Sequence, residues 1–372
     1  MRPSFNRYFP KWIALAILFS IQFTSAGAQT QLSDYRPGMT QEGAVYFLPK
    51  TALRISVLVE KTTYQPGDFA PYAQRYLRQN GVEQEPSMGY RVIDVQMDAL
   101  PVPDSSKVYS VKFDPTTVAS RMTLSDDGRL LALNMDDVYD AEVPAPFVAA
   151  PQQPLVNPRQ YMTEEILSCS STAKMAELTA QEIYDLRENR SLLIKGQADF
   201  MPQDGRQMQI MLDELDRQDR SLSSMFLGVT SHDTIEHVLW YVPAAADTSA
   251  QPKPEKEVLF RLSQLRGLVE ADDLSGAPYY IIVENITQLP APQPAAKKRK
   301  QPEAGVYVNV PGRLRATIME GITPIASQEM PAPQYGQTEL LSGSLFNKRY
   351  TTHLLLDPLT GALLRLDAEQ PK

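Results

Sequence analysis

TEEILSCSSTAKMAELTAQEIYDLRENRSLLIKGQADFMPQDGRQMQIMLDELDRQDRSLSSMF, residues 163–226, is the one long helical stretch in a chain of 372 residues. Its apolar positions recur at three- and four-residue intervals, which predicts one helix over 163–195 and a second over 205–226. Thr163 is placed to cap the first, with Glu164 and Glu165 at the positive end of its dipole. Gly196 can take the left-handed conformation that ends it. Asp204 with Gln207 makes a capping-box variant before the second. The connection over 196–204 is short, so the pair should fold back as an antiparallel helical hairpin. At a rise of 1.5 Å per residue, a helix over 163–195 would be a rod of about 50 Å. Ile166, Cys169, Ala173, Ala176, Ala180 and Ile183 share one stripe, and most are small enough for a close helix neighbour. Met208, Leu215 and Leu222 answer on the second helix. Arg187 and Arg190 should lie towards the tip, facing solvent or the acidic Asp213 and Asp216.

Most of the rest of the chain alternates like strands or breaks like loops. Leu53, Ile55, Val57 and Val59 share one face of a segment whose other face is mainly polar, which predicts a strand buried on one side. Asp68 stands where it could cap a short helix carrying Tyr72, Tyr76 and Leu77. Further strands are expected at 90–97 and 107–113, followed by a hairpin over 121–134 turned at Ser125-Asp126-Asp127-Gly128. Prolines 144, 146, 151, 154 and 158 make an extended linker. After Gly228, strands are expected at 234–242, 258–262, 278–283, 306–310, 314–319 and 321–326, and a final hairpin over 351–366. No internal repeat shows at a fixed period. The resulting expectation is an α+β chain of two antiparallel, sandwich-like β domains separated by the helical hairpin. Its segments are a signal peptide (1–28), an N-terminal β domain with one short helix (29–140), a Pro-rich linker (141–160), the hairpin (161–228), and a C-terminal β domain (229–372) with a Pro/Lys-rich loop at 286–305.

The N-terminus carries Arg2, Arg7 and Lys11, an apolar run over 12–19, and Ala26-Gly-Ala28. That order predicts a secretory signal peptide cut before Gln29, since the run is too short to span a bilayer. Residues 29–40 then form an exposed leader. Without residues 1–28 the chain has 33 Lys+Arg against 44 Asp+Glu, a net charge of −11. An acidic chain argues against nucleic acid and against anionic lipid. The single Cys169 excludes an intrachain disulfide, so stability must come from apolar burial. The strands do not form a long series of lipid-facing alternations, which favours a periplasmic protein over an outer-membrane barrel.

Several segments together resemble an uncharacterised family of exported proteins from Bacteroides-type Gram-negative bacteria, a domain of unknown function. The residues concerned are 35–46 (YRPGMTQEGAVY), 61–68 (KTTYQPGD), 174–185 (KMAELTAQEIYD), Gly336-Gln-Thr338 and Leu345-Phe-Asn-Lys348. The resemblance spans about 35–367 and implies an envelope address and this arrangement of parts. It implies no activity, ligand or catalytic residue.

Enzymatic chemistry finds little footing. Ser171-Thr-Ala-Lys174 matches the S-x-x-K of penicillin-binding serine enzymes, but no K-T-G accompanies it and Ser171 is expected two turns inside a helix. His232 and His237 are five residues apart, which puts them on opposite faces of a strand, and no third ligand is near in sequence. Asp126-Asp127, Asp136-Asp137-Asp140 and Asp272-Asp273 follow turn chemistry. Trp240, and the ring set Tyr64, Phe69, Tyr72 and Tyr76, are expected in the core. The reading is a non-enzymatic envelope protein with no cofactor or metal, binding an envelope partner. The candidate contact residues are Arg187, Arg190, Lys297, Lys298, Arg299 and Lys300. The alternative is a glycan- or peptidoglycan-binding module, or a hydrolase whose carboxylates the fold brings together.

Overall fold

The computed structural model describes residues 31–34, 44–112, 121–135, 138–148, 156–202, 204–245, 255–288, 305–346 and 351–369. The expected signal peptide (1–28) lies outside them, as do most of the 286–305 loop and all of Lys297–Lys300. The chain is mostly β, with three antiparallel sheets. The first sheet orders β1 (Gln31–Asp34), β3 (Ser87–Lys112), β2 (Ala44–Gln65) and β6 (Val229–Tyr241). The second orders β11 (Thr323–Ser342), β10 (Gly305–Glu320), β9 (Ala277–Asn285), β7 (Glu255–Ser263) and β8 (Gly267–Val269). The third orders β13 (Leu363–Glu369), β12 (Thr351–Leu356), β5 (Leu130–Leu133) and β4 (Met122–Leu124). The helices are α1 (Ala73–Leu77), α2 (Glu164–Leu167), α3 (Thr172–Lys195) and α4 (Gly205–Leu227).

The sheets do not divide at the helices into an N-terminal and a C-terminal β domain. β2 pairs along thirteen residues with β6, and β5 pairs with β12, so two of the sheets mix strands from both ends of the chain. Four strands are also far longer than their expected pieces: β2 has 22 residues, β3 26, β10 16 and β11 20. Pro49, Pro101, Pro103, Pro311, Pro331 and Pro333 read as strand ends in the sequence. Here they sit inside strands: Pro49, Pro103, Pro311 and Pro333 lie at or within the register shifts, while Pro101 and Pro331 stay in the ladder opposite Thr51 and Arg313, whose own N–H groups turn away to Gln334 and Thr287. Residues 31–34 are likewise a strand on the edge of β3, not a leader.

Each long strand bends at its bulge and serves two cores. Tyr46 and Leu48 of β2 and Val306 and Val308 of β10 pack with Leu130, Leu133, Leu354 and Leu356 of the third sheet. Beyond the bend, Leu53, Ile55, Val57 and Val59 face Leu314, Ala316, Ile318 and Ile281 in a two-sheet sandwich. β2 is buried on both faces over 51–59, not on one: the polar alternates Arg54 and Ser56 are covered too.

At the bend, polar groups replace the interrupted ladders. The Gln334 amide accepts from the Thr51 N–H and donates to the Thr51 carbonyl, both at 3.0 Å. Buried Asn309 donates to the carbonyls of Pro49 and Thr360. The residues that loop out of the two ladders meet, where Lys107 Nζ reaches Asn309 Oδ1 and the Pro333 carbonyl. Burial pulls the Lys107 ammonium below the usual lysine value, against the opposing pull of Asp104. β10 and β11 approach so closely here that a Cβ on Gly336 would lie 1.9 Å from the Val310 carbonyl oxygen.

The expected hairpin turn at 125–128 forms, and Gly128 takes a positive φ of 84°. Arg129, just beyond it, is buried and binds Asp127, Asp140 and the Pro358 carbonyl, tying the turn to the Pro-rich segment and the C-terminal hairpin. Burial alone would raise the Asp127 carboxyl. Hydrogen bonds from Ser125 and Arg129 outweigh it and hold the group below the ordinary carboxylate range.

Arg129→Met should destabilise the fold by about 2 kcal/mol in urea unfolding, since it strands the Pro358 carbonyl while the two half-exposed carboxylates regain water. The Asp127 contribution is complete above its unfolded pKa of about 4 and is lost as pH falls through its lower folded value. The wild-type melting temperature should therefore drop more steeply below pH 4 than that of Arg129→Met. Gly336→Ala should cost about 1–3 kcal/mol in the same unfolding measurement, because backbone and not a yielding side chain meets the added methyl.

Candidate functional site

The helical segment starts later than its sequence suggests. Thr163 caps only the four-residue α2, its Oγ1 accepting from Ile166 N at 3.4 Å. The chain then breaks over 168–171 and restarts as α3. α3 is thus about 36 Å long, not 50 Å. Gly196 ends it with a positive φ of 69°, and Gln197 N bonds back to the Leu192 carbonyl. Asp204 caps α4 through Gln207 N at 2.8 Å.

α3 and α4 lie antiparallel, held by Arg187 to Asp219 at 3.0 Å and Arg190 to Asp216 at 2.6 Å. Of the acids expected near these arginines, Asp216 is the one engaged. Asp213 takes the Gln209 amide instead. Both arginines are therefore internal struts of the helix pair, part-exposed but already neutralised. The stripe residues Ile166, Ala176, Ala180 and Ile183 are buried against Leu222, Met225 and Phe226, and Phe69, Ala73 and Leu77 complete this core. Of the rings expected inside, Phe69 packs on Phe226 at 5.3 Å between centroids, and Tyr72 and Tyr76 flank the same core. Tyr64 points its hydroxyl to the carbonyls of Glu83 and Leu227. Asp68 does not cap the short helix; the chain enters it through Phe69, with a 3-10 turn over Ala70–Tyr72.

Where the two helices end, a cavity of about 560 Å³ opens. Leu192 and Leu193 of α3, Phe200 of the connection, and Ile210, Met211 and Leu215 of α4 give it apolar walls. Asp199 and Glu214 stand among the lining residues, and Glu214 is paired with Arg217 at 2.7 Å. Phe200 is 69% exposed and Ile210 60%, with Ile194 and Met201 also open to solvent nearby. Small-domain surfaces rarely leave so many large apolar side chains together at one tip.

A second cluster lies on the outer face of the first sheet. Arg54, only 6% exposed, binds Asp98 at 3.4 Å and Glu236 at 3.2 Å. The Ser56 hydroxyl and the Phe147 backbone N–H both donate to the Glu236 carboxylate, at 2.6 and 2.8 Å. Those two bonds, then Arg54, hold the Glu236 carboxyl below its usual value. Such a carboxylate stays ionised and occupied, which suits a clasp for the Pro-rich segment better than a proton donor. Trp240, opposite Arg54 in the ladder, is 57% exposed and not in the core, because β6 is the last strand of its sheet.

The Ser171-Thr-Ala-Lys174 match gains one element of its chemistry and loses another. The helix break puts Ser171 at the N-cap of α3 with Lys174 one turn on. Lys174 Nζ, however, binds Glu177 at 3.0 Å, which raises its pKa and keeps it protonated, so it is not free to take a proton from Ser171. His232 lies on the outer face beside Glu60, and His237 on the opposite face. Among the described residues no three His, Cys, Asp or Glu side chains converge as a metal site would need. Nor is any described helix long and apolar enough to cross a membrane.

No curated protein and no solved structure matches the chain. A family model does, over residues 42–364, and it takes in both bulged hairpins, the helix pair and the third sheet apart from most of β13. The chain belongs to the family described as a domain of unknown function, DUF4831.

Proposed function

We propose that this is an exported cell-envelope protein without enzymatic activity, which binds an envelope protein partner through the tip of its helical hairpin. The observation that carries this reading is the open apolar cavity between Leu193, Phe200 and Ile210, placed at the end of the α3–α4 pair farthest from the α1–α4 core. Its chemistry suits a short apolar segment of the partner, with Asp199 as an acidic contact among the lining residues. Export rests on the basic, apolar and small-residue order of residues 1–28. The positively charged run Lys297–Lys300 remains a candidate second contact for an acidic surface.

A second reading is a glycan-binding module. The observation favouring it is the exposed Trp240 beside Arg54, Asp98 and Glu236, since sugar-binding surfaces combine a flat ring with fixed polar groups.

A photoreactive residue placed at Phe200, in native envelopes, should trap one discrete partner protein. Ile210→Glu should cut that product about tenfold while leaving the melting temperature within about 2 °C, as expected for an exposed site. A crosslink pattern unchanged by Ile210→Glu sinks the tip reading. Loss of binding to peptidoglycan on Trp240→Ala, with the tip variant unaffected, establishes the second reading in its place.

A further inference from the structure

The free edges of these sheets are not alike. An edge strand offers unpaired N–H and C=O groups to any passing strand, and folded chains guard them with prolines, charges, bulges or shortness. Here β1 and β4 and β8 are three or four residues long. β11 contains Pro324, Pro331 and Pro333. β13 presents Arg365, Asp367 and Glu369 within seven residues. The stretch of β3 not paired with β1 has Pro101 and Pro103, Arg91, Asp94 and Asp98, and a register shift beside Ile93.

β6 is the long edge with the fewest of these guards, Asp233 and Glu236 being its only charges and Glu236 already bound by Arg54 and Ser56. It runs thirteen residues with no proline, lysine or arginine, and among the described residues it pairs on its β2 side alone. Apolar side chains stand open on both of its faces: Ile235, 44% exposed, on the sandwich side, and Val238 and Trp240 on the other. The Phe147 contact on β6 uses a Glu236 side-chain oxygen and not the strand backbone.

The second sheet shows what such a position accepts. The hairpins β2–β3 and β10–β11 correspond, each with an apolar-Pro-apolar-Pro run at its bend: Leu100-Pro-Val-Pro103 and Met330-Pro-Ala-Pro333. The run begins opposite Ala52 in the first hairpin and opposite Leu314 in the second. On that correspondence β6 takes the place of β9, since each pairs antiparallel with the first strand of its hairpin. β9 is covered on its far side by an antiparallel strand, β7. The matching position beside β6 is filled by no described strand.

We propose that β6 pairs antiparallel with β6 of a second copy of this chain, about a two-fold axis at Ile235, joining two four-stranded sheets into one of eight strands. Ile235 is the midpoint of Val229–Tyr241, so this register overlaps all thirteen residues. It sets Asp233 opposite His237 and Thr234 opposite Glu236, so no like charges oppose. Ile235 meets its own copy across the axis, and the exposed apolar strip is covered. The arrangement is isologous and closes at two copies, since β6 meets only itself about the two-fold axis.

The test uses the whole purified protein at about 50 µM, above the Kd of a weak, modest-area pairing. Wild type should sediment as a dimer. Ile235→Lys and Ile235→Glu should each sediment as monomers with unchanged far-UV circular dichroism, and a 1:1 mixture of the two should restore the dimer. On a Cys169→Ser background, Ile235→Cys should form a disulfide-linked dimer in air, and Thr230→Cys, placed opposite Trp240, should not. A monomeric wild type, or a dimer indifferent to both charge variants, overturns the proposal. So does crosslinking of Thr230→Cys as efficient as that of Ile235→Cys.

Discussion

The Gln334 amide on the backbone of Thr51 is the contact that the rest of the β structure depends on. A strand that bends sharply must give up ladder hydrogen bonds, and the freed groups cannot be left dry. β2, β3, β10 and β11 all irregularise at one level, which allows each to leave one core and enter another. A side-chain amide offers a donor and an acceptor in fixed geometry, so one Gln can satisfy both backbone groups of one Thr. Asn309 does the same work between Pro49 and Thr360. The three sheets therefore meet in a polar junction walled by apolar cores, and a polar junction of this kind specifies alignment where an apolar one would tolerate sliding.

The helices are attached to this framework at a few points of close approach. Phe69 N donates to the Met225 carbonyl at 2.7 Å, and a Cβ on Gly67 would lie 2.1 Å from the same oxygen. The Pro66-Gly67-Asp68 turn at the end of β2 is thus pressed onto the last turn of α4, whose next residue, Gly228, leads directly into β6. β2 and β6 then run side by side from this corner. The core of the α3–α4 pair sits at its root, and the exposed apolar tip lies at the other end.

Local chemistry made some of this visible in the sequence. Gly196, Asp204 and the 125–128 turn act as their residue types predict, because caps and turns depend on neighbours within a few positions. The long strands were hidden by the very prolines that shape them. Pro331 and Pro333 end a strand by every local rule, yet Pro331 stands opposite Arg313, whose N–H turns away to Thr287, and Pro333 lies within the register shift. Pairing of β2 with β6 was hidden for another reason: its partners lie more than 160 residues apart, and a period of two says which face is buried but not what covers it. The exposure of Trp240 follows from that pairing alone. One signal was present and overlooked, the repeated apolar-Pro-apolar-Pro run at 100–103 and 330–333, which marks two equivalent hairpins without a fixed period. Of the candidate contact residues, Arg187 and Arg190 could be placed on the helix pair from spacing, but their neutralisation by Asp219 and Asp216 required the register between helices.

The bond between residues 51 and 334 spans 283 positions of the chain, and this separation governs the order in which the protein can fold. β2 and β3 are neighbours along the chain and can pair early, with only a short helical excursion between them. Their shared face, with Leu53, Ile55 and Val57, has no cover until β9, β10 and β11 have been made. Contacts of such range close slowly, because the loop entropy must be spent before any apolar surface is buried. A β2–β3 hairpin formed before them would expose that adhesive face. The prolines and charges along its free β3 edge would keep its backbone from pairing with other chains until the second hairpin buried the face.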